Sequence, residues 1–149
     1  MRDFEFRGKS VQTGEWLYGD LERRRVNGRT FIHTYYDNGT YNRSCEVVPE
    51  TVGQFTGLKD KNTNRHRIFD GDIIYAECQD KSEGRFLVGW NNEAASFGLM
   101  DEYSYRSLSE GYDFSEFQNL VLLNLLQDAV IFEVIGNIHD NSELLTNVS

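Results

Sequence analysis

What most limits the folds open to this chain is its punctuation: short runs of aromatic and β-branched residues, cut at close intervals by turn-forming pairs. Thr13-Gly14 precedes Glu15 to Leu21, where Trp16 and Tyr18 share a face. Asn27-Gly28 separates the charged run Glu22 to Arg25 from the aromatic run Thr30 to Tyr36, and Asp37-Asn38-Gly39 separates that run from Thr40 to Val48. Asn and Gly tolerate the positive φ of tight turns, so these are hairpin signals. The first fifty residues therefore predict an antiparallel meander. Pro49, which cannot donate to a central ladder, ends it.

The rhythm resumes with Thr51 to Leu58, the polar loop Lys59 to Arg67, and the turn Asp70-Gly71 feeding Asp72 to Cys78. In that strand Ile73 and Tyr75 share one face and Ile74 and Ala76 the other. Arg85 to Trp90 and Ala94 to Met100 extend the meander, Val130 to Ile135 is its last strand, and Ser142 to Leu145 can close one helical turn. Strands at this spacing predict a mainly β fold, a small barrel or sandwich.

The segment Asp101 to Asp128 breaks the rhythm. Asp113 or Ser115 can N-cap a short helix near 113–127 that carries Phe117, Leu120, Val121 and Leu125 on one stripe. Leu122, Leu123 and Leu126 fall outside that stripe. Phe117, Leu120, Leu122, Leu123 and Leu126 are thus a candidate protein-contact surface, the alternative being a helix that closes one end of the barrel.

With 149 residues, 10 Phe, 8 Tyr and 2 Trp, the chain can build a core without metal or disulfide. Cys45 and Cys78 form no CxxC pair and read as reduced thiols. The start has no apolar stretch of signal-peptide length, and Leu120 to Leu126, interrupted by Asn124, is too short to span a bilayer. These features lead us to expect a cytoplasmic protein with no membrane partner. Residues 1–67 carry 12 Lys+Arg against 9 Asp+Glu, and residues 68–149 carry 3 against 15, so the net charge of −9 is unevenly placed.

The residues of catalysis are sparse. Nucleophilic chemistry needs a Ser or Cys beside a base, and no signature surrounds any of them. His33, His66 and His139 are the only histidines, and with the two cysteines they show no zinc-ligand spacing. Asp70 and Asp72 flank a turn, where solvent keeps both ionised. No phosphate-loop pattern occurs. The expectation is no catalytic residue, no metal and no cofactor; an enzyme would need His33 or His66 beside a carboxylate in a buried polar cleft.

The sharpest local feature is the basic run Arg23-Arg24-Arg25, with Arg29 beyond the Asn27-Gly28 turn and Tyr18, Phe31, Tyr35 and Tyr36 nearby. A β surface of arginines and aromatics can track a phosphate backbone and stack bases, which makes these four arginines a candidate nucleic-acid site. The competing reading is a charged hairpin tip that discourages edge-to-edge pairing.

One long stretch is distinctive as a whole. Val48-Pro49-Glu50-Thr51-Val52-Gly53-Gln54-Phe55-Thr56-Gly57-Leu58-Lys59-Asp60-Lys61-Asn62, followed by Ile68-Phe69-Asp70-Gly71-Asp72-Ile73-Ile74, resembles the YopX family of phage and prophage proteins. Phe6-Arg7-Gly8-Lys9 with Thr13 to Gly19 resembles that family's opening, and Phe132 to Leu145 its ending. The resemblance implies an SH3-like barrel in the C-terminal part and a phage or prophage origin. It implies no established activity, so no site residue follows from it. The loop Thr63 to Arg67 and the segment Asp101 to Asp128 look enlarged relative to the family pattern.

The expected architecture is thus a meander over 1–50 and an SH3-like barrel over 51–149 with an insertion at 101–128, or one compact domain over 1–145. The expected function is non-enzymatic binding of a protein partner, with nucleic-acid binding as the alternative. Self-association is open as well, because sheet edges and the apolar insertion can pair across a two-fold axis.

Overall fold

A computed structural model describes residues 4–109 and 121–146. Among them are ten strands: β1 (Phe6–Lys9), β2 (Trp16–Arg23), β3 (Thr30–Tyr35), β4 (Tyr41–Glu46), β5 (Gly53–Lys59), β6 (Arg67–Phe69), β7 (Asp72–Cys78), β8 (Glu83–Asn91), β9 (Ser96–Asp101) and β10 (Ala129–Asn137). Three helices accompany them: α1 (Glu102–Ser109), α2 (Leu122–Asp128) and α3 (Glu143–Thr146). The mainly β, antiparallel class read from the turn signals is the class observed.

The chain divides into two compact units, Met1–Gly57 and Leu58–Ser149. The division falls after Gly57 and not after Glu50, because the start of β5 is committed to the first unit: Phe6 pairs with Gln54 and Arg7 with Gly53. Pro49 does stop β4, and it opens a single 3-10 turn, Pro49–Thr51. There the buried Thr51 hydroxyl accepts from the Lys9 N–H at 2.9 Å and donates to the Val48 carbonyl at 2.6 Å.

In the first unit the strands lie in the order β4-β3-β2-β1-β5. Register sorts their side chains, since partners in an antiparallel pair project to the same face. Leu17, Ile32 and Val47 form the core on one face, with Phe6, Leu21, Cys45 and Val52 packed against them. The pairs Asp20–His33, Glu22–Phe31, Phe31–Glu46, His33–Ser44 and Tyr35–Tyr41 fall on the other face.

The second unit holds the sheet β10-β7-β8-β9. Both of its faces are covered, which explains why neighbours along the strands are buried together: Ile73 with Ile74, Leu87 with Val88, Leu99 with Met100. One face packs Ile74, Ala76, Val88, Phe97, Leu99 and Phe132 with Ile68 of β6 and Leu122 of α2. The other packs Ile73, Leu87 and Met100 against Leu145 of α3 and Tyr105 of α1. Each such side chain contributes roughly 2 kcal/mol by leaving water.

The helix expected near 113–127 is met only in part by α2, which begins at Leu122 because Val121 is extended and bridged to Gly98 and so does not share a helical stripe with Leu125; residues 110–120 lie outside the described part. Helix α1 was not legible in the polar, Tyr-containing start of the insertion. Its Tyr105 packs against the cluster that holds Met100 and Leu145, which gives the helix a surface to cover. Among the described residues, no helix is long and apolar enough to cross a membrane.

Candidate functional site

The family-like motif is built of residues that hold backbone. Asp60 has no solvent exposure. Its Oδ1 accepts the N–H of His66 at 2.8 Å and of Asn62 at 3.2 Å, and its Oδ2 accepts the N–H of Val134 at 3.0 Å. The neighbouring Lys61 N–H donates to the Phe132 carbonyl at 2.8 Å, and its Nζ to the Ala129 carbonyl. Strand β10 is an edge of its sheet, so Asp60 and Lys61 occupy backbone groups that would otherwise template another chain.

The second half of the motif behaves alike. Gly71 has φ 92°, a left-handed conformation that a side chain would disfavour, and its N–H bonds the Val88 carbonyl while its own carbonyl takes the Ile138 N–H. The buried Asp72 carboxylate accepts the Phe69 N–H at 2.7 Å. Asp72 is therefore turn architecture, but not the solvated acid expected from the sequence, since its carboxylate is buried against a backbone N–H.

A family model described as "YopX protein" matches residues 5–146. The chain belongs to the YopX family. No curated protein matches it. The matched region takes in most of both units and the whole of the motif.

The arginine hairpin is only partly available. Arg24 donates to Glu22 at 2.9 Å and Arg29 to Glu46. Their guanidinium carbons lie over the Phe31 ring, at 3.8 and 5.3 Å from its centroid. Arg24 and Arg29 therefore come together as a roof on a buried phenyl ring, each beside a carboxylate. Arg23 and Arg25 are exposed. The four do not form a continuous positive surface.

The candidate protein-contact residues separate in the same way. Leu122 is 1% exposed and belongs to the core, which corrects its assignment to a contact surface: the first residue of α2 points into the sheet. Leu126 is partly buried against that core, and Leu123 is 43% exposed. Phe117 and Leu120 lie outside the described residues.

The solvent face of β2, β3 and β4 gathers more than the sequence showed. Tyr18, Tyr35 and Tyr41 are 40%, 45% and 56% exposed. Tyr35 and Tyr41 meet edge to face with centroids 6.2 Å apart, and the Tyr35 hydroxyl donates to Asp20 at 2.7 Å. That bond, above all, pushes the Tyr35 hydroxyl's pKa upward. His33 Nε2 lies 2.8 Å from Glu22 Oε1, and its ring is 6.1 Å from that of Tyr41. Hydrogen bonds from Arg24 and then His33 hold the Glu22 carboxyl below its ordinary range.

Both histidines singled out for catalysis thus stand beside carboxylates, His66 Nδ1 being 3.8 Å from Asp60 Oδ2. Neither sits in a buried polar cleft: the His33 side chain lies on a sheet face, and that of His66 is 50% exposed. Ser44 is opposite His33 in register, but its Oγ is buried with no hydrogen-bond partner among the described residues. A nucleophile must reach its substrate and share its proton with the base; Ser44 does neither. Cys45 and Cys78 are free thiols. Among the described residues no three His, Cys, Asp or Glu side chains converge as a metal site.

Sequence reasoning missed Tyr41 and the acids Asp20, Glu22 and Glu46 as parts of this face. The signal was present as an alternation, Tyr18-Asp20-Glu22 on β2 with Arg24 just past its end, beside His33 and Tyr35 on β3. It becomes readable only when the β2–β3 register is known.

Proposed function

We propose that this YopX-family chain is a non-enzymatic, cytoplasmic accessory protein of a phage or prophage that works by docking a protein partner on the solvent face of β2–β4. The observation that carries this reading is the exposure of Tyr18, Tyr35 and Tyr41 on a hydrogen-bonded sheet, on the face opposite the core. Tyrosine and arginine dominate the energetic centres of protein interfaces, because they bring large area at low entropic cost and carry a polar end. The charge balance also favours a protein. Residues 1–57 hold eight Lys+Arg and eight Asp+Glu, and Arg24 and Arg29 are each matched to an acid. A polyanion would meet those acids, whereas a protein of mixed charge can pair with both signs.

The test compares wild type with the double variant Tyr35→Ser/Tyr41→Ser, each tagged and recovered from prophage-induced host cells. A partner held by wild type and lost by a folded variant, then reconstituted from purified components, supports the reading. Recovery of the same proteins by both forms overturns it.

A further inference from the structure

The stretch Lys59–Arg67 runs from the last residue of β5 to the first of β6 and is polar throughout. It reads Lys-Asp-Lys-Asn-Thr-Asn-Arg-His-Arg, and it stands out because of its surroundings: the unit Leu58–Ser149 has seven Lys+Arg against sixteen Asp+Glu, and four of those seven cations lie in these nine residues. Lys59, Lys61, Arg65, His66 and Arg67 are all exposed. The single acid of the loop, Asp60, is fully buried and turned to backbone N–H groups, so it presents no carboxylate to a ligand. Lys59 and Arg65 have no carboxylate within ion-pair distance among the described residues.

The loop is also held in shape. The Asp60 N–H donates to the His66 carbonyl at 2.9 Å and the Arg65 N–H to the Asn62 carbonyl at 2.8 Å. The Asn62 side chain accepts the Asn64 N–H at 3.0 Å. Arg65 itself is held at φ 53°, in the left-handed region where a non-glycine residue is uncommon. A preformed loop loses less entropy when its charges engage a ligand.

We propose that Lys59–Arg67 binds the phosphate backbone of a nucleic-acid duplex, without reading its sequence. Composition selects this partner over an acidic protein. From Lys59 to Arg67 there is no apolar residue, and protein interfaces draw their energy from buried apolar and aromatic anchors. Phosphate contacts are instead made by Lys, Arg, Asn and Thr, the residues present here. The stretch has no Phe, Tyr or Trp, and His66 is its one aromatic ring, too little for the stacking of successive bases that single-strand binders use. A duplex offers the denser array, about one charge per 1.7 Å of axis. The acidic remainder of the unit opposes the complex at long range, but beyond about 10 Å at 0.1 M salt that repulsion is largely screened, while direct contacts persist. This surface and the tyrosine face are made of different residues, and the inference does not depend on the proposed protein partner.

The experiment titrates the full chain into a fluorescein-labelled, random-sequence DNA duplex over a series of salt concentrations, with four comparisons: two double variants, a single strand and polyglutamate. Wild type should bind at low salt with log K falling linearly in log salt. Lys59→Gln/Arg65→Gln, which removes two exposed charges, should flatten that slope by about two and leave thermal unfolding unchanged. Arg23→Gln/Arg25→Gln should leave the slope unaltered. A single strand of the same length should bind no tighter than the duplex. No binding at low salt, an unchanged slope in the Lys59/Arg65 variant, loss in the hairpin variant, tighter single-strand binding, or equal binding to polyglutamate would each overturn the assignment.

Discussion

The segment Asp60–Asp72 and the solvent face of β2–β4 spend their polar residues in opposite ways. In the first, Asp60 and Asp72 are buried and their carboxylates accept backbone N–H groups. In the second, Asp20, Glu22 and Glu46 stay at the surface and bond other side chains: Tyr35, His33, Arg24 and Arg29. A carboxylate turned to the main chain specifies a fold, and substitution removes structure. One turned to side chains on an exposed sheet specifies a surface, and substitution there changes what the surface offers. The segment that looks most diagnostic in the sequence is therefore scaffold, and the less conspicuous alternation is the better candidate for contact.

The comparison is broken most directly at Asp60. Asp60→Ala strands three backbone N–H groups, two of the loop and one of β10, and uncovers a sheet edge; a loss of about 4 kcal/mol is expected. Chemical denaturation of the variant checks it, and a loss below about 1 kcal/mol would mean that water replaces the carboxylate. Next in size is Gly19→Ala in β2. An added Cβ would lie 1.9 Å from the His33 carbonyl oxygen, so β2 and β3 must separate. We expect roughly 3 kcal/mol of destabilisation, with loss of amide-exchange protection in β3. Near-normal protection would show that the pair relaxes without parting.

Helix α2 offers a paired test on one turn. Leu122→Ala empties a core position and should cost about 3 kcal/mol. Leu123→Ala, at an exposed position, should stay within about 0.5 kcal/mol. Equal costs, read from thermal unfolding of the two variants, would erase the division between core and surface within the helix.

Much of the fold was legible because turns are written locally. Asn27-Gly28 and Asp37-Asn38-Gly39 mark the β2–β3 and β3–β4 hairpins, and Asp70-Gly71 the turn into β7, through backbone conformation alone. What escaped is non-local. Asp60 accepts from Val134, 74 positions away, and no spacing in the chain announces that contact. Leu122 and Leu123 are adjacent identical residues whose fates differ only by the direction in which α2 presents them. The tyrosine face needed the β2–β3 and β3–β4 registers, because Tyr41 joins Tyr35 only after a bulge shifts the pairing.

The smallest expected effects are electrostatic, and they set the two exposed faces against each other. On β2, hydrogen bonds from Arg24 and His33 depress the Glu22 pKa. A depressed carboxyl stabilises the folded chain at pH above its ordinary value, and the contribution is lost as pH falls through the lowered one. On β7, a hydrogen bond to Glu83 pushes the Tyr75 hydroxyl up to about 12. The sign is reversed in range: the stabilisation is complete below the ordinary tyrosine value near 10 and disappears between about 10 and 12. Both groups are partly exposed, so solvent keeps the energies small and the titrations themselves are the better readout. Following tyrosinate absorbance against pH, wild type should show a late alkaline step that Tyr75→Phe lacks and Glu83→Gln moves back toward 10. Glu22→Gln should flatten only the acid side of the stability profile. If Glu83→Gln leaves the late step in place, the Tyr75–Glu83 bond does not hold in solution, and the β7–β8 surface is looser than the tyrosine face of β2–β4.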